Sequence, residues 1–579
     1  MPYFDFHVHP TLKPGLTDDT ATYTAWTEFP FFARGIRHIL LQSFEEIVTS
    51  QANLTQLKKT GTVSVIALIG LEKAFAGNWA IQKILASPRV SPLSRDLLLD
   101  VVENRVTYHE MFIKDVNVLL NDSRQQDFTV LKKFEDMSDD KVNLVLSVEG
   151  AHSFQSVTDD AGETEIRKSI VDNFKKWKND SRFRIHHLTL THLTRQPACV
   201  HCFGVKITVL GRIDLTRDLE FQPDPAKAGI SPLGFDVIKA AYDSRDSKPV
   251  LLDIKHMSYY ARTQFYQLRH EQGYQQFPII ASHVGVTGTS LRESSISAIE
   301  DSRSGCSLVS WNRKAGLKNT FFNPWTINLF DEDILEIIKS GGLLGISLDQ
   351  RILGYQKKFF GEFMSPLEVE KLKLSQLQTQ RNRGSAVAGG FEPPLKLTTA
   401  TKTENRIDLE LAAILELEPV SRDRKIRDTE EHILGHDMIF DVDEEDGDTM
   451  ISRSGREASA SHIDYLSNNI LHIVKIGFQN GFQGIGGAQD VRSVICIGSD
   501  LDGIVDSMNF PPGGTDGGID KRNWVTADEY PLLEKALLHS MEHCVAEDEY
   551  LKSLHLDITD LTNKVMYRNG IEFLKKHFT

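Results

Sequence analysis

Tyr3-Phe4-Asp5-Phe6-His7-Val8-His9-Pro10 opens the chain with an apolar run whose tip carries two histidines one residue apart. Read as a β-strand, positions two apart project to the same side. Both imidazoles then converge at the strand's C-terminal end, where Pro10 stops the ladder. Paired imidazoles at a strand end are a common start to a hydrolytic metal site. Taken alone, the pair reads equally well as surface histidines before a loop. The rest of the chain decides, because the pattern repeats. Val63–Ile69, Val142–Val148, His187–Thr191, Val250–Ile254, Ile279–Ser282, Leu343–Leu348 and Val494–Gly498 are further short runs, nearly continuous in apolar or β-branched residues. Such runs are too short for helices, and burial on both faces is what parallel strands require. Intervals such as Ser231–Tyr242 and Asp331–Ser340 have helical spacing, the second with Asp331 as its opening cap and Gly341-Gly342 as its stop. Eight strands alternating with helices predict an α/β fold, a (β/α)8 TIM-type barrel with large insertions in the loops at its C-terminal face.

The expected division places barrel strands one to seven in residues 1–350, with helical insertions at about 10–140 and 287–325. An insertion follows at 351–460, and the eighth strand and C-terminal helices occupy 461–579. The 351–460 stretch carries a polar run (Lys371–Arg383), a Gly/Pro break (Gly389-Gly390-Phe391-Glu392-Pro393-Pro394) and an acidic run (Asp441–Asp448). A lid, an oligomerisation element and a partly disordered segment all fit that composition. Gly484-Ile485-Gly486-Gly487 precedes a strand and does not join a strand to a helix, so it reads as a turn and not as a phosphate loop.

The 579 residues are 40% hydrophobic and 25% charged, with a formal net charge of −15. That balance argues against a nucleic-acid or anionic-membrane surface, which needs clustered Lys and Arg. Five cysteines in so long a chain make no disulfide framework. Cys199 and Cys202, with His201 between them, lack the second CxxC of a zinc knuckle. No apolar stretch approaches the ~18 residues of a membrane helix. The N-terminus has no basic region of a signal peptide, and cleavage beyond residue 15 would discard His7 and His9. The end, Lys575-Lys576-His577-Phe578-Thr579, lacks a lipid-anchor tail. A cytoplasmic enzyme is expected, with a small-molecule substrate, no nucleic-acid or membrane partner, and room for homo-oligomer formation.

Four more polar residues stand where predicted strands end: Glu149 after Leu144–Val148, His256 after Leu251–Lys255, His283 after Ile279–Ser282, and Asp500 after Ile495–Ser499. Barrel enzymes carry their catalytic groups at these ends. Any one of them alone is as well explained as a satisfied core polar group. Four histidines and two carboxylates together offer N/O ligation suited to zinc or a similar divalent ion.

The order and wording of these motifs resemble the membrane (renal) dipeptidase family, a branch of the amidohydrolase-like metal hydrolases. Ser147-Val148-Glu149-Gly150-Ala151-His152-Ser153 resembles its bridging-glutamate motif, and Leu188-Thr189-Leu190-Thr191-His192 its substrate-contacting histidine segment. Ala228-Gly229-Ile230-Ser231-Pro232-Leu233-Gly234 is similar to the helix entry before the next metal strand. Leu252-Asp253-Ile254-Lys255-His256-Met257-Ser258 and Ser282-His283 match the two second-metal histidines. Ile497-Gly498-Ser499-Asp500-Leu501-Asp502-Gly503 matches the catalytic aspartate motif, and Tyr567-Arg568-Asn569-Gly570 the closing helix. Residues 10–140, about 287–325 and 351–460 lie outside the resemblance. It implies a zinc-dependent dipeptidase with two divalent ions, most naturally Zn2+. His7 and His9 would bind one ion, His256 and His283 the other, and Glu149 would bridge them. Asp500 would transfer the proton and His192 would bind the developing oxyanion.

Two departures stand out. His9 occupies a position where the family carries Asp. Thr326-Ile327 stand before Asn328-Leu329-Phe330-Asp331, where the family places the arginine that grips the substrate carboxylate. Arg292 and Arg313 are the candidate replacements in substrate binding. A different amide, lactam or lactone substrate is the alternative within hydrolases. Barrel phosphoesterases with an HxH opening carry a late Asp-x-His, where this chain has Asp500-Leu501-Asp502. A catalytically silent binding protein is the alternative of another class, and it predicts the loss of a ligand, whereas all six are present.

Overall fold

Eight short strands run parallel and pair in chain order in the computed structural model of the protein: β1 Phe4–Val8, β2 Val63–Leu68, β3 Val142–Val148, β4 Ile185–Thr189, β5 Leu251–Asp253, β6 Ile280–Val284, β7 Leu343–Ile346 and β8 Ile495–Ile497. The structure describes residues 2–204, 208–209, 213–214, 219–245, 247–355, 361–381, 460–485, 488–510 and 524–579. In-register pairs such as Val65 with Val145 and Leu344 with Ile495 run around the sheet. Closure falls just past the strands, where Val8 and Leu501 form a parallel bridge, the Asp500 N–H donates to His7 O at 2.8 Å and the His9 N–H to Leu501 O at 2.9 Å. The result is a nearly closed (β/α)8 barrel.

The strands are buried throughout, as their nearly continuous apolar runs predict. Phe4, Val63, Leu251, Ile280 and Leu343, from the strand starts, pack with Phe573, Leu574 and Phe578 of the terminal segment. That layer plugs the N-terminal end of the barrel and leaves the polar strand ends at the other. The helix Pro232–Tyr242 is capped by Ser231, whose Oγ accepts from the Gly234 N–H at 3.1 Å. The expected excursion at 10–60 is helical, with elements at Ile36–Val48 and Leu54–Thr60. That at 71–140 contains Arg95–Val102 and Tyr108–Leu120. Asn53 with Gln56 and Thr107 with Glu110 form capping boxes at two of these helices.

Several expectations need correction. Residues 287–325 hold an antiparallel hairpin, Ile296–Glu300 with Ser307–Trp311, in place of the expected helical insertion. Ile296-Ser297-Ala298-Ile299-Glu300 is too short for a helix, and its two β-branched isoleucines favour a strand. A third strand, Glu362–Met364, joins the hairpin from the stretch assigned to the 351–460 insertion. The helix Pro366–Arg381 follows it, and its Glu368 accepts from Ser258 Oγ and the Gly229 N–H, both at 2.7 Å. The barrel unit therefore continues through the helix ending at Arg381 and resumes at Ala460. The Gly389–Pro394 break and the Asp441–Asp448 run lie outside the described residues. So do Gly486 and Gly487, whereas Gly484 has φ +75°, as a turn requires. Asp331 is the first residue of its helix and not its cap: its carboxylate accepts from His472 at 2.7 Å, and Asp333 reaches back to the Phe330 N–H at 3.1 Å.

Arg262 locks this side of the barrel. Its guanidinium meets Asp333 with Nη2–Oδ2 2.9 Å and Nε–Oδ1 3.2 Å, and Nη1 donates to Thr326 O at 2.7 Å. Both side chains are buried. Removing one partner of a buried pair leaves the other charge uncompensated, so Arg262→Ala is expected to cost about 3–5 kcal/mol in urea unfolding. A loss under about 1 kcal/mol would show that Asp333 finds water or another partner.

Candidate metal centre

Buried carboxylates pin the strand ends that carry the site. Asp5 in β1 accepts from the Ser499 N–H at 2.9 Å, Ser499 Oγ at 2.5 Å and the His7 N–H at 3.2 Å, and also takes the Tyr530 hydroxyl. Asp253 in β5 plays the same part, accepting from the Lys255 N–H at 2.9 Å and the Ser282 N–H at 3.1 Å. Each aspartate ties its strand to the next one in the site and fixes the departure of the following histidine. The backbone then turns sharply: His256 has φ +66° and Asp500 φ +64°, a left-handed conformation that costs non-glycine residues about 1 kcal/mol or more. Gly150, with φ +84°, follows Glu149, and a Cβ there would lie 2.3 Å from the His152 ring, so only glycine fits.

These turns gather all six predicted residues at one point. His7 and His9 bring their Nε2 atoms to 3.1 Å, and His256 and His283 bring theirs to 3.1 Å. Glu149 lies between the pairs. Its Oε1 is 3.1 Å from His256 Nε2, 3.5 Å from His7 and 3.6 Å from His283, and its Oε2 is 3.4 Å from His9. Asp500 Oδ1 stands 3.4 Å from His9 and 3.8 Å from His7. The donor set fits divalent ions: imidazole nitrogens about 2.0–2.1 Å from one tetrahedral ion lie roughly 3.3 Å apart. His7, His9 and Asp500 form one group of mutually close donors, and His7, Glu149 and His283 another. Asp500 thus falls within ligand reach as well as at the place expected of a proton carrier.

Electrostatics separate the groups. Burial alone would push the Glu149 carboxyl up, but the His192 and His7 rings and the His256 hydrogen bond hold it well below the usual range. Burial holds His256 and His283 well below the ordinary histidine range, in the neutral form that ligates metals. His192 goes the other way. Burial opposes its charge, yet Glu72 and Glu149 raise it to about 9. Its Nδ1 meets Glu72 Oε2 at 2.6 Å, while Nε2 faces Glu149 Oε2 at 3.7 Å. Glu72 Oε1 is occupied by Thr194 Oγ1 and Gln196 Nε2, both at 2.9 Å, so the carboxylate is anchored and orients the ring. His192 lies three residues beyond β4, which starts at Ile185 and ends at Thr189, two residues earlier than expected at either end.

The side chains of His7, His9, Glu149, His256 and His283 are 1–3% exposed, whereas those of Asp500 and His192 are 18% and 14% exposed. These two therefore face the cavity above the cluster. Leu12, Leu71, Phe75, Phe203 and Ile327 also line it. Arg292 and Arg313 do not. Arg292 is half exposed, 3.6 Å from Glu332, and Arg313 lies over the Phe321 ring at 4.3 Å. Besides the histidines, the basic side chains among the described residues that line the cavity are Lys255 and Arg351. Arg351 is bound to Asp349, with Nε–Oδ1 2.9 Å and Nη2–Oδ2 2.5 Å. Lys255 Nζ is buried and has no hydrogen-bond partner among the described residues. Glu72, Lys255 and Arg351 escape a reading of strand ends because none belongs to the resembled ligand set. Their signal is position: Glu72 and Arg351 lie four and five residues past the ends of β2 and β7, and Lys255 precedes a ligand. Cys199 and Cys202 are buried thiols outside any disulfide, and His201 Nε2 is 3.1 Å from Phe221 O.

The sequence matches no protein-family model and no curated protein. Among solved structures, the chain is similar to the probable dipeptidase PvdM from Pseudomonas aeruginosa at 14% identity and TM-score 0.44, over 91% of this chain and 88% of that one. A metallopeptidase from Rhodobacter sphaeroides liganded with a phosphinate mimic of L-Ala-D-Ala is similar at 12% identity and TM-score 0.42, over 100% and 99% of the two chains. An amidohydrolase from Pseudomonas aeruginosa follows at 11% identity and TM-score 0.38, over 100% and 96%.

Proposed function

We propose that this protein is a metal-dependent hydrolase of small amides, with dipeptides the substrate type that the motif resemblance implies. The observation that carries the proposal is the Glu149 carboxylate set between two histidine pairs, each with its Nε2 atoms 3.1 Å apart. His7 and His9 would hold one divalent ion and His256 and His283 a second, with Glu149 spanning both; mixed N/O donors suit Zn2+. When bound, such a pair of ions polarises an amide carbonyl and lowers the pKa of water towards neutrality. The chain's own groups do the rest. Asp500 takes the proton of the attacking water on its carboxylate and returns it to the leaving nitrogen. His192, held by Glu72, directs Nε2 at the oxygen that gains charge.

The test combines metal analysis with turnover. After zinc supplementation, about two ions per chain are expected. Chelation should abolish hydrolysis of a panel of L,L- and L,D-dipeptides and lower the melting temperature, and zinc should restore both. One ion or none after supplementation overturns the binuclear proposal. Two ions with no hydrolysis of dipeptides, other amides or lactams overturns the hydrolase.

A further inference from the structure

A second, apolar lobe adjoins the cavity above the cluster. Leu12, Leu71, Phe75, Phe221 and Ile504 line both spaces. Beyond them Leu16, Phe29, Phe44, Leu85 and Leu98 wall the lobe, supplied by the excursions after β1 and β2. Two charged groups at its edge, Lys13 and Asp502, are spent on each other at 2.7 Å. Asp502 also takes the Gln51 and Ala52 N–H groups, and Lys13 donates to Thr49 O. The lobe therefore offers a ligand almost nothing but hydrocarbon contact.

Lys255 stands on the other side. It follows β5, and in a ring of eight strands the fifth lies across from the first. A buried lysine Nζ with no hydrogen-bond partner is costly until a group that can accept its hydrogens, such as a carboxylate, reaches it. The carboxylates that line the cavity are all engaged. Glu72 holds His192 and Asp349 holds Arg351, while Glu149 and Asp500 belong to the cluster. Among the described lining residues, none is left to receive the free ammonium of an unblocked dipeptide.

We propose that the substrate is an N-acyl amino acid with an extended apolar acyl chain: the chain fills the lobe behind Phe75, the free carboxylate meets Lys255, and the amide between them lies over the histidine cluster. Hydrolysis then breaks the acyl C–N bond. The hydroxyl of water adds to the acyl carbon and a proton to the nitrogen, releasing a long-chain carboxylic acid and a free amino acid. The inference rests on the hydrolase proposed above and narrows its substrate.

Non-cleavable ketone isosteres, in which CH2 replaces the amide NH, separate binding from turnover. Binding of 4-oxopentanoic, 4-oxodecanoic and 4-oxotetradecanoic acids to the zinc-loaded chain is measured by titration calorimetry. Affinity is expected to rise about three- to fourfold per methylene until the lobe is full, and at least about 100-fold between the first two acids. The primary amide of the longest acid is expected to bind at least about tenfold more weakly than the acid, and Lys255→Met should erase that difference. Ala80→Phe, which fills the lobe, should flatten the dependence on length. Affinity independent of chain length, or equal for acid and amide in the wild-type protein, overturns the inference, as does an undiminished length dependence in Ala80→Phe. The ligand series on the wild-type protein decides even where a variant fails to fold. Turnover distinguishes the two levels. Tight, length-dependent binding without cleavage of N-decanoylglycine removes the hydrolase and leaves the ligand class standing. Cleavage of free dipeptides with no gain from chain length removes the ligand class and leaves the hydrolase.

Discussion

Glu149→Gln is expected to remove bound divalent ions and hydrolytic activity together. Among the described carboxylates Glu149 lies nearest to both histidine pairs, with Oε1 3.1 Å from His256 and Oε2 3.4 Å from His9. A glutamine of the same shape keeps one acceptor oxygen and loses the charge. It also turns an N–H2 group towards nitrogens that must present lone pairs to an ion. Metal content should fall from about two ions per chain to one or none, and turnover by at least about 10³-fold. The fold itself should survive, because Glu149 sits at a strand end and is held below its usual carboxylate range only by the rings around it. Elemental analysis and circular dichroism on the same sample check this. Two ions bound to the variant would mean that Glu149 is not shared between sites.

Asp500→Asn should separate proton transfer from metal binding. Asparagine tolerates the left-handed backbone of this position, φ +64°, so the substitution removes charge without forcing the loop. With His7, His9 and Glu149 intact, zinc content at saturating metal should stay near that of the wild-type protein. Turnover should drop at least about 10²-fold, the usual loss for a general acid/base. Asp500 Oδ1 lies 3.4 Å from His9, within reach of the same ion, so a lowered zinc affinity is expected alongside. Near-normal turnover would make Asp500 structural and leave another group to move the proton. Loss of turnover only in proportion to lost zinc would make it a ligand alone.

The barrel was legible because its strands declare themselves locally. Val142–Val148 reads as a buried strand from seven consecutive residues, and the structure places it at those limits. The clustering of the candidate ligands was legible for the same reason, since a barrel brings every strand end to one rim whatever lies between. The stretch 287–325 was not. Its two strands span five residues each without a regular two-residue alternation, and its third strand, Glu362–Met364, lies about fifty residues further on. Asp331 was misread as a cap because its preferred partner, His472, belongs to a helix more than a hundred residues away.

The cations show where local reading ends. Arg292 and Arg313 lie closest in sequence to the missing arginine, yet the structure turns one towards Glu332 and the other over Phe321. Lys255, one residue before a ligand, lines the cavity. By itself the sequence determined the strands, their parallel order and the six residues at their ends, because backbone propensity and side-chain period act over a few residues. Only the tertiary structure decided that β8 closes on β1 through Leu501, that Glu72 grips His192, and which cation and which apolar wall stand over the cluster. Those contacts join residues tens to hundreds of positions apart, and they are settled by the path of the excursions and by which buried charges find partners, quantities that no local pattern encodes.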